Sequence, residues 1–134
     1  MNETFVIIKP DAVAAGHVGH ILTTYEDAGL TVEAMELRTI DGAFSDKHYA
    51  EHLERDYYPP LREFMTSGPL VAVILSGDDA IQKVRDLNGV TDPSKADEGT
   101  IRQRFGTSVR ENGVHASDSE ATAASEIALW FPER

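Results

Sequence analysis

The chain contains no cysteine, which removes disulfide frameworks, thiol nucleophiles and thiolate metal sites together. Cations are scarce: 12 Lys and Arg stand against 23 Asp and Glu, giving a formal net charge of −11. Such a surface repels nucleic acid and anionic lipid, so a nucleic-acid or membrane-surface binder is disfavoured. Long apolar runs are missing too. The longest, Leu70 to Leu75, is far too short for a signal or spanning helix, and Met1 to Thr4 carries no basic segment. A cytoplasmic location is therefore expected. Neither a G-x-x-x-x-G-K-[ST] loop nor a G-x-G-x-x-G fingerprint occurs, and there is no internal repeat.

What is present suits one globular domain over 1–134. Hydrophobic residues make up 41 %, and a chain of 134 residues is long enough to build a core without staples. Phe5 to Ile8 and Leu70 to Leu75 are continuous apolar runs, the signature of strands buried on both faces. Thr31 to Ile40 reads as a further strand of imperfect alternation. Val18, Ile21, Leu22 and Tyr25 follow helical spacing up to a stop at Gly29. Ser45 is placed to cap a short helix through Leu53, and Pro60 suits the first turn of another bearing Leu61, Phe64 and Met65. Asp78 or Asp79 caps a helix with Ile81, Val84 and Leu87 on one face, ended by Asn88-Gly89. Ser117 and Glu120 have capping-box spacing ahead of a helix through about Ile127, after which Trp130 and Phe131 close over the core. Strands alternating with helices in this way predict an α+β class, an α/β sandwich with helices against one small sheet.

From Asn88 to Gly113 the periodicity disappears, and loops of that length are usually functional. This stretch, with Arg85 just before it, supplies Thr91, Thr100, Arg102, Arg104, Arg110 and Asn112, residue types that suit a polyanion. Lys9 sits at the carboxyl end of the first strand, where open sheets bind ligands, although a lysine there is more often simply solvated. Gly16-His17-Val18-Gly19 opens a helix and could offer backbone amides to an anion; a tight turn is the better reading. His48 and His52 have the i,i+4 spacing of paired metal ligands, but no third ligand is evident, so surface or partly buried histidines account for them better. His115, one of five histidines, lies at the end of the polar loop and beside a helix start. Glu126, further along that helix, could return a carboxylate to its ring. A neutral imidazole held at one nitrogen is a competent nucleophile near neutral pH, and a structural role competes with that reading.

Six blocks in order along the chain resemble the nucleoside diphosphate kinase family: Thr4 to Asp11 (TFVIIKPD), His48-Tyr49, Ser67-Gly68-Pro69, Gly99 to Arg102 (GTIR), Asn112 to Asp118 (NGVHASD) and Glu126 to Phe131 (EIALWF). The resemblance covers essentially the whole chain. It implies a ferredoxin-like βαββαβ fold, an antiparallel four-stranded sheet with additional helices. It also implies ping-pong transfer of the γ-phosphate of ATP, or another nucleoside triphosphate, to nucleoside diphosphates through a phosphohistidine. Carried over by position, His115 is the nucleophile, Glu126 orients its ring and Ser117 assists. Lys9, Arg85, Thr91 and Arg102 hold phosphates, and Tyr49 and Asn112 contact the sugar and phosphate region. Tyr57 stacks on the base, with Leu61 and Val109 completing an apolar clamp. Mg2+ arrives on the nucleotide phosphates, without a carboxylate cage of its own. The family also implies a homo-oligomer, a hexamer being favoured over a tetramer or dimer.

The chain departs from the family pattern at Ala12, at Arg55-Asp56-Tyr57-Tyr58, at Gln103-Arg104 and at Gly113. Arg104 reverses a charge in the long loop, and Gly113 stands where an aliphatic residue is usual and is expected to loosen the local strand. No nucleophile or phosphate-holding position is lost. A catalytically inactive nucleotide-binding regulatory module of the same fold is the alternative, and the intact set of Lys9, Arg102 and His115 argues against it.

Overall fold

A computed structural model describes residues 2–134; Met1 lies outside the described residues. Four strands, β1 (Asn2–Ile8), β2 (Thr31–Arg38), β3 (Leu70–Gly77) and β4 (Val114–Ala116), form one sheet in the order β2-β3-β1-β4, and every neighbouring pair is antiparallel. Among the described residues seven α-helices accompany them: α1 (Pro10–Ala14), α2 (Val18–Asp27), α3 (Gly42–His48), α4 (Tyr58–Met65), α5 (Ala80–Asn88), α6 (Ile101–Phe105) and α7 (Glu120–Trp130). This is the ferredoxin-like α+β arrangement with added helices.

Side chains alternate across a strand, and that parity sorts the core into two layers. Val6 and Ile8 of β1 join Val71, Val73 and Leu75 of β3 against Ile21 and Tyr25 of α2 and Val84 of α5. Phe5 and Ile7 join Leu70 and Ala72 on the opposite face, against Tyr58, Met65 and Trp130. The apolar runs are thus buried on both faces, as their composition predicts. β2 is one of the two edge strands, β4 being the other, and it runs exposed and half-buried throughout, with a register shift between Val32 and Ala34. Its imperfect alternation reflects that irregular edge. It also stops at Arg38, short of the expected Ile40.

Several boundaries differ from the sequence reading. Asp41, not Ser45, caps α3 by accepting the Phe44 N–H at 2.8 Å. Ser45 is buried inside the helix and hydrogen-bonds the Tyr58 hydroxyl. α7 is capped by Ser119, whose side chain accepts the Thr122 N–H, and the helix runs on to Trp130. Ser117 shares strand parity with His115, and that parity turns its hydroxyl inward, away from the helix terminus. Asp79 rather than Asp78 precedes α5, in a left-handed conformation. The stretch without periodicity contains a 3-10 turn, Pro93–Lys95, and the short helix α6, each too brief to show a repeat.

Candidate functional site

The site lies where β1, β4, α7 and the long segment after α5 meet. In the β1–β4 register Ile7 pairs with His115, so the imidazole projects to the layer containing Phe5 and Ile7. Its ring centroid lies 6.3 Å from that of Phe5. Glu126, on α7, then meets it: His115 Nε2 is 2.8 Å from Glu126 Oε2, and the Ser117 hydroxyl donates to Oε1 of the same carboxylate. Ser117 is anchored in turn, being fully buried with its backbone N–H on the Phe5 carbonyl. Burial alone would raise the Glu126 pKa; hydrogen bonds from His115 and Ser117 and the neighbouring histidines outweigh it and hold the carboxyl below its usual range. An ionised carboxylate can only accept, so Nε2 of His115 carries the proton and the Nδ1 lone pair is left for chemistry. The His115 side chain is 25 % exposed, open enough for a reacting group to approach.

Around this pair opens a cleft of about 1210 Å³. Of the residues singled out in the sequence, Lys9, Tyr49, Tyr57, Leu61, Arg85, Thr91, Arg102, Val109, Asn112, His115 and Glu126 all line it. Ser117 stands behind it. Gly16-His17-Val18-Gly19 is not among the lining residues, and Gly16 with φ +80 belongs to the turn between α1 and α2. Its anion-binding reading gains nothing. Arg104 also points elsewhere, stacking 4.5 Å over the Phe105 ring and reaching Thr24.

Lys9 follows directly on β1, at the N-cap of α1, and is buried. Its Nζ donates at 3.0 Å to Asn112 Oδ1 and at 3.0 Å to the Arg110 carbonyl, and Asn112 Nδ2 donates to the Thr91 carbonyl. Burial pulls its pKa down to about 8, Asp11 opposing and Arg102 reinforcing the shift. Arg102 donates through Nη1 to the Gly89 carbonyl at 2.8 Å and through Nη2 to the Val114 carbonyl at 2.9 Å. Its Nε is buried with no partner. Two cations are therefore held in a protein of strong net negative charge without a carboxylate ion pair, an arrangement that suits an anionic ligand.

Gly113 has φ +86, a conformation costly for residues with a Cβ. In that conformation its carbonyl accepts the Lys9 N–H and its N–H donates to Asp11. The glycine is therefore not a loosened strand but a fixed corner that joins the β1 end to the start of β4. Tyr57 and Val109 are exposed at the outer rim, 49 % and 57 %, and the Tyr57 hydroxyl is hydrogen-bonded to His52.

Two site residues had no role in the sequence reading. His48, expected at most as a partly buried histidine, has a side chain only 1 % exposed and stands beside His115, the ring centroids 4.9 Å apart. It and His52 do not share a helix face, because α3 ends at His48 and a separate 3-10 turn carries His52. Asp11, which closes the first resemblance block without a role of its own, holds the Gly113 N–H, and its place in the first turn after Lys9 is a usable signal.

Known proteins resemble this chain along nearly its whole length. A family model described as nucleoside diphosphate kinase matches residues 2–134. A nucleoside diphosphate kinase from a Nocardioides species is 59 % identical over 130 residues, covering 97 % of this chain and 96 % of the relative. One from Clostridium perfringens is 51 % identical over 133 residues, with coverage of 99 % and 93 %. The crystal structure of the Aquifex aeolicus nucleoside diphosphate kinase superposes with a TM-score of 0.94 at 38 % identity, covering 97 % of this chain and 94 % of that one. The chain belongs to the nucleoside diphosphate kinase family.

Proposed function

We propose that this chain is an active nucleoside diphosphate kinase in which His115 carries the phosphoryl group. The observation that supports it best is the His115–Glu126 contact at 2.8 Å, which engages Nε2 and leaves Nδ1 unprotonated. In the first half-reaction the Nδ1 lone pair attacks the γ-phosphorus of ATP or another nucleoside triphosphate. The bond from that phosphorus to the bridging oxygen breaks and the diphosphate leaves with the electron pair. In the second half-reaction a β-phosphate oxygen of an incoming nucleoside diphosphate attacks the phosphohistidine, and Nδ1 regains its lone pair. Nε2 keeps its proton throughout and donates it in a hydrogen bond to Glu126.

Phosphoryl transfer depends chiefly on positioning and neutralisation of phosphate charge. Lys9, Arg85 and Arg102, with Thr91 and Asn112, are the groups for that work, all lining the cleft. Tyr57, Leu61 and Val109 offer an apolar surface to the base, and Tyr49 and Asn112 reach the sugar and phosphates. Stacking on a π-face reads no base edge, which gives broad nucleotide use. Mg2+ fits this donor set as a companion of the phosphates: it prefers oxygen ligands, and Lys9, Arg85 and Arg102, the groups assigned to the phosphates, offer it none. When bound it neutralises phosphate charge.

A homo-oligomer, with a hexamer favoured over a tetramer or dimer, accords with the edge strand β2, where Met35 and Leu37 are 54 % and 64 % exposed. A single domain acting in the cytoplasm completes the reading; among the described residues no helix is long and apolar enough to cross a membrane. A coupled assay of purified protein with ATP, Mg2+ and dTDP tests the function. Turnover that disappears in His115→Ala supports it, and absence of turnover in the native chain leaves the inactive regulatory module.

A further inference from the structure

His48, His115 and Glu126 each bring one ligand-type atom within 4.8 Å of the others, an arrangement that resembles a metal site. The proton positions argue otherwise. The Trp130 indole N–H donates to His48 Nδ1 at 3.0 Å, and an indole nitrogen can do nothing but donate. Nδ1 of His48 must therefore be the acceptor, and the proton of its neutral ring sits on Nε2. That Nε2 lies 3.8 Å from Glu126 Oε2, the same oxygen that His115 Nε2 meets at 2.8 Å. Both imidazoles thus turn N–H groups, not lone pairs, toward one carboxylate.

The lock is built into the fold. Glu126 and Trp130 are four residues apart on α7 and so lie on one helix face. α3 delivers His48 at its last position. The His48 ring stands edge-on to His115, Tyr49 and Trp130, with interplanar angles of 81°, 85° and 83°. Those contacts leave it little rotational freedom.

We propose that His48 is a positioning residue, a permanently uncharged Nε2–H donor whose tautomer Trp130 fixes and which keeps Glu126 aimed at His115. This rests on the kinase reading for its consequence, though not for its geometry. At 3.8 Å the His48–Glu126 separation exceeds a hydrogen bond, so the N–H acts as a dipole that favours the ionised carboxylate without taking it from His115. A charged His48 would compete for Glu126 as an ion-pair partner. Burial, with His115, His52 and Lys9 nearby, drives its pKa down to about 3 against the pull of Glu126, so the ring stays neutral under working conditions. The same tautomer withholds the lone pair that a metal would need.

Two measurements test the proposal. Long-range proton–nitrogen correlation spectra of the intact protein report each imidazole tautomer whether or not the protein is a kinase. His48 is expected with a bare Nδ1 and a protonated Nε2 from pH 5.5 to 8.5; an Nδ1–H tautomer or a doubly protonated ring in that range overturns the proposal. The second is the single-turnover rate of phosphorylation by ATP, with ADP affinity measured alongside. His48→Leu, which fills the space without an N–H, should slow phosphorylation on the order of 10- to 100-fold, the scale set by misplacing a reacting group, while ADP affinity holds. His48→Gln, whose amide can donate from the Nε2 position, should recover much of that loss. A native rate in folded His48→Leu, or a folded His48→Gln as slow as His48→Leu, contradicts it. If the native chain takes up no phosphate, the kinase reading fails, and the tautomer spectra still decide on His48.

Discussion

His115 and Glu126 meet across the boundary between β4 and α7, Nε2 to Oε2 at 2.8 Å, and Ser117 closes the arrangement by donating to the second carboxylate oxygen. One carboxylate thereby fixes both the tautomer and the ring plane of the nucleophile. Removing it should cost rate rather than binding, because none of its oxygens is needed to hold phosphate. Glu126→Ala is expected to lower kcat on the order of 100-fold, the scale of a misaligned reacting group, with ADP affinity little changed by calorimetry. Ser117→Ala should do the same more mildly. A large loss of ADP affinity with unaltered kcat would count against this assignment.

Arg102 is braced by two backbone carbonyls and keeps a buried Nε without a partner. Lysine cannot reproduce two parallel donors from one planar group. Arg102→Lys should therefore behave nearly like Arg102→Ala, each losing about 3 kcal/mol of transition-state stabilisation, the worth of one preorganised donor. The ratio of kcat/KM between native and variant chains checks it. Near-native activity in the lysine variant would show that charge alone suffices.

Lys9 makes a pH test possible. Its folded pKa is lowered from 10.5 to about 8, chiefly by burial. Between those values the unfolded chain binds more protons than the folded one, so this residue makes stability rise with pH across that window. Denaturant unfolding of the native chain and of Lys9→Met at pH 7.5 and 9.5 isolates the effect: the difference should shift in favour of the native chain at the higher pH. Nucleotide phosphate favours the charged amine, so KM for ATP should rise above pH 8 in the native chain only.

Tyr25 is fully buried and its hydroxyl donates to Asn88 Oδ1 at 2.6 Å. Asn88 Nδ2 already has no partner. Tyr25→Phe strips the remaining bond from a buried amide and should cost about 1–3 kcal/mol. Thermal and denaturant unfolding measure it, and an unchanged stability would mean that the amide finds water.

Much of the fold and site was legible because two signals were strong. The continuous apolar runs around Phe5 and Leu70 announce doubly buried strands, whereas the place of His115 beside Phe5 and Ile7 follows from the β1–β4 register, which no local pattern shows. Other features depend on tertiary contacts that local patterns cannot report. The capping-box spacing of Ser117 and Glu120 points to Ser117 as the cap, and only its pairing beside β1 and its bond to Glu126 show that it faces inward and leaves Ser119 to cap α7. His48 looked like one half of an i,i+4 pair because the end of α3 has no strong stop residue. Gly113 looked like a weak point because the positive φ it serves is visible only once Lys9 and Asp11 bond to it. The apolar clamp rests on the resemblance alone, since Tyr57 and Val109 carry no local pattern that marks them.

The most direct test is to incubate the purified chain with γ-labelled ATP and Mg2+, quench in alkali, and locate the label by peptide mapping. The account expects one acid-labile phosphoryl group on His115, discharged completely on adding a nucleoside diphosphate, and none in His115→Ala. An acid-stable label, a label on another residue, or undiminished turnover in His115→Ala would contradict it.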